Sequence, residues 1–321
     1  MKDVVTWIHE AENMDPGEVE TFERSIVERY SRLSRPRDLD FRIVRVADLI
    51  ASCTDRPVLR YRGENLLTRR QCFIVEDTGT DPQALHAVQA VYRTIHASDS
   101  ILLNRAISGP DYLERDKLAF AQFASALGVP VIPTVAVPYG KYARRVLDVV
   151  SDELGQGPYV LKPREMSSAA GVLRVHSREE LCGALDIASQ TGAGYIVQPF
   201  VPHIGDMRVY VADGEVVTSL TRRPGRDAFL ASVSQGGSIE TNEDHLLVAD
   251  HCRAIARALG AEWMCVDWLM TGTGPVLNEW CTANGGFTMM PEPQCGMVAD
   301  AFFGWIRKKL DAMAAEPFRR G

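Results

Sequence analysis

Lys162 is the first residue whose type and setting indicate chemistry. It lies in a β-type run, PYVLKP at 158–163, and a loop of small residues, MSSAAG at 166–171, follows it. A lysine ammonium suits phosphate oxygens, and the backbone N–H groups of a Gly, Ser and Ala loop can fold over a polyphosphate. The arrangement indicates a nucleotide clamp, although a lysine before proline at a strand end is also common on solvated surfaces.

Asp267 and Glu279 form a second candidate pair. They lie in two apolar runs, CVDWLM and PVLNEW, which a T-G-T-G turn joins. Pairing these runs as a hairpin places both carboxylates on one face, where they repel each other unless a divalent cation lies between them. The pattern predicts a metal site, and the alternative is a pair of exposed acids at strand ends.

A group of cations, Arg208, Arg222 and Arg223, lies between these two features in the chain. Arginines on one face of a β-hairpin are often a solvated surface. Beside a phosphate and metal site, they would neutralise charge on a transferring phosphoryl group or bind a carboxylate through two hydrogen bonds.

The elements before residue 110 alternate between strand and helix patterns, which predicts a small open α/β sheet as an N-terminal domain over 1–109. The predicted strands and helices are, in chain order, VVTWI from Val4, a helix over 16–34, strands at 41–50 and 72–77, a helix over 82–96 and a strand at 100–104. Trp7, His9 and Glu10 lie at the end of the opening strand, where they either contact a substrate or have a structural role.

The elements after residue 110 must position the candidate site, and we predict two further lobes, over 110–194 and 195–321. The D-G pair at 213 and 214 between alternating apolar runs predicts a hairpin, and S-R-E-E at 177–180 predicts a helix start. The other predicted elements are helices over 112–128, 177–189, 243–259 and 296–314, and strands at 129–137, 158–163, 172–175 and 195–201.

Composition excludes several classes of function. The net charge is -7 and the Lys and Arg residues are dispersed, so the basic surface that nucleic-acid binding requires is missing. No apolar run approaches the length of a membrane span and the N-terminus does not resemble a signal peptide, so we predict a cytoplasmic protein without membrane or nucleic-acid partners. Seven scattered cysteines without a C-x-x-C pair predict neither disulfides nor a zinc site.

Taken in this order, the motifs resemble the ATP-grasp superfamily, and within it the RimK-like and L-amino-acid-ligase-like branches. The resemblance covers about residues 110–290. It implies an α/β class with α+β lobes: an ATP-grasp fold in which an N-terminal open α/β (pre-ATP-grasp) domain precedes two ATP-clamping lobes. The implied reaction joins a carboxylate to an amine through an acyl phosphate and releases ADP and phosphate.

The resemblance also implies roles for individual residues. The segment LERDKLAFAQFASALG is similar to the family's Asp-Lys helix, YVLKP to its second phosphate lysine, MSSAAGV to its mobile loop and YIVQPFV to its adenine hinge. The implied nucleotide-binding residues are Lys117, Lys162, Ser167, Ser168, Gly171, Gln198, Pro199, Phe200, Val201 and Asp206. Arg208 and Arg223 are the implied catalytic residues, with Arg223 on the acyl phosphate. Asp267 and Glu279 are the implied ligands of one or two Mg2+ ions, for which Mn2+ would substitute.

The chain departs from the family pattern at three places. The usual E-x-N of the last strand reads Glu279, Trp280, Cys281 here, so the asparagine metal ligand is absent at that position. Either Asn284 substitutes for it, or the second Mg2+ is bound more weakly or held mostly by phosphates. Pro199 occupies the position of the hinge acid in the RimK-like branch. Leu230, Ala231 and Ser232 replace polar residues before the Gly-Gly pair, which argues against glutamylation of a ribosomal protein.

The implied substrates are a small-molecule carboxylate and an amine, as amino acids or a short peptide, and a homo-oligomer is left open. Three alternatives remain: a ligase that modifies or cyclises a larger peptide, a kinase using the same clamp, and a nucleotide-binding partner protein whose catalytic site has decayed. The retention of both lysines and both acids argues against the decayed site.

Overall fold

The structure, a computed structural model, describes residues 2–9, 15–75, 82–103, 116–165, 169, 171–226, 229–231, 237–241, 244–283 and 285–314. In this part of the chain, sixteen strands form four sheets, and seven α-helices pack against them. None of these helices is long and apolar enough to cross a lipid bilayer.

The N-terminal sheet consists of four parallel strands. They are β1 Asp3–His9, β2 Leu39–Arg45, β6 Cys72–Val75 and β7 Ile101–Leu102, in the spatial order β2-β1-β6-β7. Two helices, α1 Pro16–Ser34 and α2 Pro82–His96, pack on this sheet, as parallel strands with crossover connections require. Both helices occupy their predicted ranges.

The predicted strand at 41–50 is wrong, because it is two strands in two different sheets. After β2, a short 3-10 helix at Val46–Asp48 buries Val46 in the core beneath α2 and redirects the chain. A separate antiparallel sheet follows, formed by β3 Leu49–Cys53, β4 Pro57–Tyr61 and β5 Glu64–Asn65.

The small sheet is antiparallel. Its strands are β8 Val135–Ala136, β9 Tyr159–Pro163, β10 Leu173–Val175 and β11 Tyr195–Pro199, in the order β10-β9-β11-β8. Helices α4 Val150–Leu154 and α5 Arg178–Ala188 cover one face. The predicted strand at 129–137 shrinks to β8 and an isolated bridge between Val131 and Leu277, since its prolines cannot donate to a ladder.

The central sheet is also antiparallel. Its strands are β12 His203–Ala212, β13 Glu215–Arg223, β14 Ser238–Glu240, β15 Trp263–Thr271 and β16 Gly274–Cys281, in the order β14-β13-β12-β15-β16. Asp213 and Gly214 both adopt positive φ in the turn between β12 and β13, so the predicted hairpin is confirmed. The hairpin of β15 and β16 is confirmed as well.

Each face of the central sheet packs against a different layer. Helices α3 Lys117–Ala126 and α6 Ala249–Leu259 bury one face. The other face joins α7 Gln294–Ala314 and the N-terminal sheet in one core, in which Trp263, Phe302 and Tyr30 are at most 1% exposed.

The predicted helix ends are partly revised. The predicted helix over 243–259 starts six residues later, at Ala249, because a 3-10 turn at Asp244–Leu247 precedes it. The domain boundaries at 109 and 194 stay predictions, and the segment at 108–110 lies outside the described residues. Helix α3, assigned to the middle lobe, packs its buried side chains against the central sheet.

Candidate functional site

One face of the small sheet presents Lys162 toward the central sheet. The strand register pairs Val160 with Arg174 on one side and Gln198 on the other, and Lys162 follows Val160 by two residues on the same face. The opposite face, with Tyr159 and Leu161, is buried under α5. Strand alternation therefore separates a helix-covered face from a face that carries a lysine and a glutamine.

Lys162 is an almost buried ammonium, 7% exposed. Its Nζ donates to Oδ1 of Asn278 on β16 at 3.4 Å. The pKa of Lys162 is lowered to about 8, mainly by burial and also by the nearby charge of Lys117, while the Glu279 carboxylate acts in the opposite direction. A buried cation whose pKa is depressed is a favourable receptor for an anionic ligand, which would stabilise its charged form.

The start of α3 is fixed to the strand end that follows Lys162. The Asp116 carboxylate caps the helix by accepting from the N–H groups of Leu118 and Ala119, and it also pairs with Arg164. The Lys117 N–H donates to the Arg164 carbonyl at 3.0 Å, and its Nζ lies 3.5 Å from that oxygen. These bonds hold the two predicted phosphate lysines, Lys117 and Lys162, near each other.

The predicted hinge continues from β11. The Gln198 amide donates to the Thr134 hydroxyl at 2.8 Å, and the N–H of Phe200 donates to the Pro158 carbonyl at 2.7 Å. The Arg174 guanidinium lies 3.7 Å from the centre of the Phe200 ring. Pro199 and Val201 are half-buried beside them.

The predicted phosphate loop is partly described. Ser167 and Ser168 lie outside the described residues. Gly171 has a φ of +69°, and a Cβ there would come within 2.9 Å of the Pro163 ring, so glycine is required where the loop rejoins the sheet.

The central sheet contributes four charged side chains, which we term the arginine–aspartate cluster: Asp206, Arg208, Arg222 and Asp267. Nε and Nη2 of Arg208 donate to the two oxygens of Asp267, each at 2.7 Å. Arg222 donates to both oxygens of Asp206 and, at 2.8 Å, to Oδ2 of Asp267. The strand register pairs Asp206 with Arg222 and Arg208 with Asp267, which brings the four side chains together.

The two carboxyl groups of the cluster have opposite pKa shifts. Burial favours a raised pKa at Asp267, but Arg208 and Arg222 outweigh it and lower the pKa to about 2. Burial and the charge of Asp267 raise the pKa of Asp206 to about 6, against the effect of Arg222. Of the two carboxyl groups, Asp267 is therefore the one that stays ionised to lower pH.

Arg208 also anchors the segment after β16. Its Nη1 donates to the Gly285 carbonyl at 2.8 Å, and the Tyr210 hydroxyl donates to the same oxygen at 3.0 Å. A Cβ at Gly285 would overlap the Sγ of Cys265, and its φ of +67° also favours glycine. Asn284, the predicted third metal ligand, lies outside the described residues.

The structure places Arg223 apart from the cluster. Adjacent residues of a strand face opposite sides, so Arg222 enters the cluster and Arg223 points away. Nε of Arg223 donates to Glu240 on β14 at 2.8 Å, and its Nη1 donates to the Ile204 carbonyl. Arg222 is thus the arginine that sequence reasoning undervalued, because the strand register that selects it over Arg223 is not visible in the sequence.

Asp267 and Glu279 occupy directly paired positions of β15 and β16, as the predicted metal pair requires. Their carboxylates are the hard oxygen donors that Mg2+ prefers, so the donor set fits that ion. Both Asp267 oxygens accept from guanidinium groups, and no group of three or more His, Cys, Asp or Glu side chains in the described ranges has a ligand arrangement. Glu279 is therefore the more accessible donor.

Comparison with known proteins supplies independent information. Residues 116–272 match the family described as prokaryotic glutathione synthetase, ATP-grasp domain. A probable alpha-L-glutamate ligase of Parasynechococcus marenigrum is 27% identical over 79% of this chain and 54% of its own length. A protein of the same description from Psychromonas ingrahamii is 24% identical over 81% of this chain and 83% of its own length. The chain thus spans about half the length of the first relative.

Solved structures agree on the fold. The D-cycloserine synthetase DcsG superposes with a TM-score of 0.69 at 15% identity, covering 94% of this chain and 99% of that one. A RimK domain ATP-grasp protein from Sphaerobacter thermophilus superposes with a TM-score of 0.62 at 16% identity, covering 94% and 98%. At such low identity, these likenesses establish the shared fold alone.

Proposed function

We propose that this chain is an ATP- and Mg2+-dependent carboxylate–amine ligase of the ATP-grasp superfamily, because residues 116–272 match an ATP-grasp domain family and the named relatives are probable alpha-L-glutamate ligases. The observation that carries the proposal is that Lys162 of the small sheet lies close to Asn278 and Glu279 of the central sheet. The buried Lys162 ammonium on the small sheet lies against Asn278 and the charge of Glu279 on the central sheet. A cation and a carboxylate so placed suit a nucleotide polyphosphate and its divalent ion.

In this proposal, ATP lies between the small and central sheets. Lys162 and Lys117 bind phosphate oxygens, and the loop closed by Gly171 covers them. Gln198 and the backbone of Pro199 to Val201 receive the adenine. Mg2+, as one or two ions held by Glu279 with Asp267 and Asn284, would neutralise charge on the β- and γ-phosphates. In the same proposal, Mn2+ would substitute for Mg2+.

The chemical steps follow from positioning and charge. A substrate carboxylate attacks the γ-phosphorus in line, which forms an acyl phosphate and releases ADP. An amine then attacks the acyl carbon, phosphate leaves, and the amine loses a proton as the amide forms. Exclusion of water from the site would protect the acyl phosphate from hydrolysis.

An arginine would stabilise the oxyanion of the tetrahedral intermediate. Arg208 and Arg222 lie in the arginine–aspartate cluster and are the candidates by position, whereas Arg223 would have to leave Glu240 to take this role. Asp206 supports the site by holding Arg222.

We propose amino acids or a short peptide as substrates, because the named relatives are probable alpha-L-glutamate ligases. The cytoplasmic location and the oligomeric state remain predictions from the sequence.

The direct test is turnover of ATP and Mg2+ with a panel of amino-acid and dipeptide pairs, following ADP, AMP and the mass of ligated products. We expect ADP together with an amide, lost in Lys162→Ala and Glu279→Ala. Lys141→Ala, which removes an exposed lysine, is the matched control. AMP release would contradict the acyl-phosphate route, and a stable phosphorylated product without an amide would indicate a kinase.

Two further results would redirect the proposal. Turnover that appears only with a longer peptide would favour a ligase for larger peptides. ATP binding without turnover in any mixture would favour the decayed, partner-binding alternative.

A further inference from the structure

The side chains of β16 do not follow the alternation of a regular strand. Leu277 and Trp280 are both buried in the core beneath α3 and α6. Residues three apart in a regular strand face opposite sides, so an irregularity must lie between these two. Asn278 and Glu279 are the residues between them.

The pairing with β15 locates the irregularity. Asp267 pairs with Glu279, whereas the next residue, Trp268, pairs with Leu277. Asn278 is therefore the extra residue of a β-bulge. Bulges commonly redirect a side chain next to an active site. Here the bulge turns Asn278 to the same side as Glu279, toward the small sheet.

A hydrogen bond between the two sheets agrees with this orientation of the Asn278 side chain. Oδ1 of Asn278 accepts from Nζ of Lys162 at 3.4 Å, and no other bond from this Nζ is recorded to any residue that the structure describes. A lysine ammonium has three N–H donors, so the described residues leave two of them for a ligand.

Asn278 is well suited to hold a lysine at a polyphosphate. A neutral amide oxygen orients the ammonium without neutralising it, whereas a carboxylate at the same place would compete with phosphate for the charge. The backbone around it is fixed, because the Leu277 N–H donates to the Pro130 carbonyl at 2.8 Å.

We propose that Asn278 is the positioning residue that holds Lys162 toward the phosphates of the bound nucleotide. The inference rests on the proposed function in taking that nucleotide to be ATP. Asn278 immediately precedes the predicted metal ligand Glu279, but its proposed role requires no contact with the metal ion.

A double-mutant cycle on ATP binding tests this role. Calorimetry would measure ATP affinity for the wild type, Asn278→Ala, Lys162→Ala and the double variant, without co-substrates. We expect Asn278→Ala to weaken binding about tenfold, as for the loss of a hydrogen bond to a charged group. Because Asn278 acts through Lys162, the double variant should bind within about twofold of Lys162→Ala. Additive effects, or unchanged binding by Asn278→Ala, would overturn the inference.

Three controls keep the result interpretable. Asn278→Leu, of similar shape, provides a second variant if the alanine variant does not fold. Thr273→Ala, at the exposed turn of the same hairpin, should bind like the wild type. Repeating the cycle with ATP and EDTA separates the lysine from the metal: the Asn278 effect should persist, and its disappearance would assign Asn278 to the cation and overturn the proposal.

The outcomes also separate this inference from the proposed function. A wild type that binds ATP but forms no amide would contradict the ligase, while the cycle could still be completed. Normal ligation with additive binding effects would contradict the role of Asn278 alone.

Discussion

Lys162 on the small sheet and Asp267 on the central sheet are both charged groups that the fold removes from water, but their surroundings differ. Asp267 is 1% exposed and accepts from two guanidinium groups, which lower its pKa to about 2. Lys162 is 7% exposed, has one long hydrogen bond to Asn278, and has its pKa lowered to about 8.

The two buried charges differ in how fully neighbouring protein groups compensate them. At Asp267 the charge is compensated within the protein, so the arginine–aspartate cluster supports the folded state. At Lys162 the compensation is incomplete, so the ammonium gains stabilisation when an anion binds. Mutations on the two sheets should therefore affect different measured quantities.

Arg208→Met should have the largest effect on stability. It removes two donors to Asp267 and one to Gly285, leaving a buried carboxylate with less compensation. We expect the free energy of unfolding to fall by about 3–5 kcal/mol, measured by urea denaturation. Arg253→Met, which removes an exposed arginine paired with Glu215 and Asp250, should change it by less than about 1 kcal/mol. Equal losses in the two variants would contradict the supporting role of the cluster.

Lys162→Met should show the opposite pattern. ATP affinity should fall roughly ten- to hundredfold, because charge-assisted bonds to phosphate are lost. The free energy of unfolding should stay the same or rise, since the variant no longer buries an incompletely compensated ammonium. Calorimetry and denaturation measure the two quantities, with Lys141→Met as the exposed control. A large loss of stability would show that Lys162 is structural.

The ATP affinity of the wild type should depend on pH near the pKa of Lys162. Above about 8 the free protein loses the ammonium proton, and affinity should fall up to about tenfold per pH unit, a dependence absent in Lys162→Met. The effect on stability has the opposite sign. Between pH about 8 and 10.5, Lys162 binds a proton more fully in the unfolded chain than in the folded protein, so its contribution makes the free energy of unfolding rise with pH. Calorimetry from about pH 6.5 to about pH 9.5 would measure how ATP affinity depends on pH.

Arg223→Ala should have the smallest effect. Its partner Glu240 is half exposed, so we expect a change of less than about 1 kcal/mol in unfolding and little change in turnover. Arg222→Ala should reduce turnover more strongly, because Arg222 bridges Asp206 and Asp267. The reverse order in steady-state rates would support the original assignment of Arg223 to the acyl phosphate.

The features that follow from local periodicity were predictable from the sequence. Helices α1 and α2 match their predicted ranges because apolar spacing and proline at the first position mark them. The hairpin at Asp213 and Gly214 was predictable because the turn requires positive φ. The second hairpin was predictable and brings Asp267 and Glu279 close together, but their direct pairing also requires the bulge at Asn278.

The features that depend on strand register were not predictable. Whether Arg222 or Arg223 enters the cluster is decided by pairing with Asp206, which lies on another strand. The bulge at Asn278 depends on Leu277 and Trp280 both entering the core beneath α3 and α6, a tertiary requirement. The three-residue spacing of Leu277 and Trp280 indicates a bulge only when both residues are known to face the same core.

The core that α7 shares with the N-terminal sheet has an evolutionary consequence. Val5, Trp7 and Tyr30 pack in one cluster with Phe302, Phe303 and Ile306, although nearly the whole chain separates them. A recombination event that exchanged the first hundred residues alone would pair an inherited sheet with a foreign helix and leave voids in a close-packed interior. These two distant segments are therefore expected to co-vary and to be transferred as a unit in chimaeras, whereas the small sheet, with its separate core, is the part that could be exchanged independently.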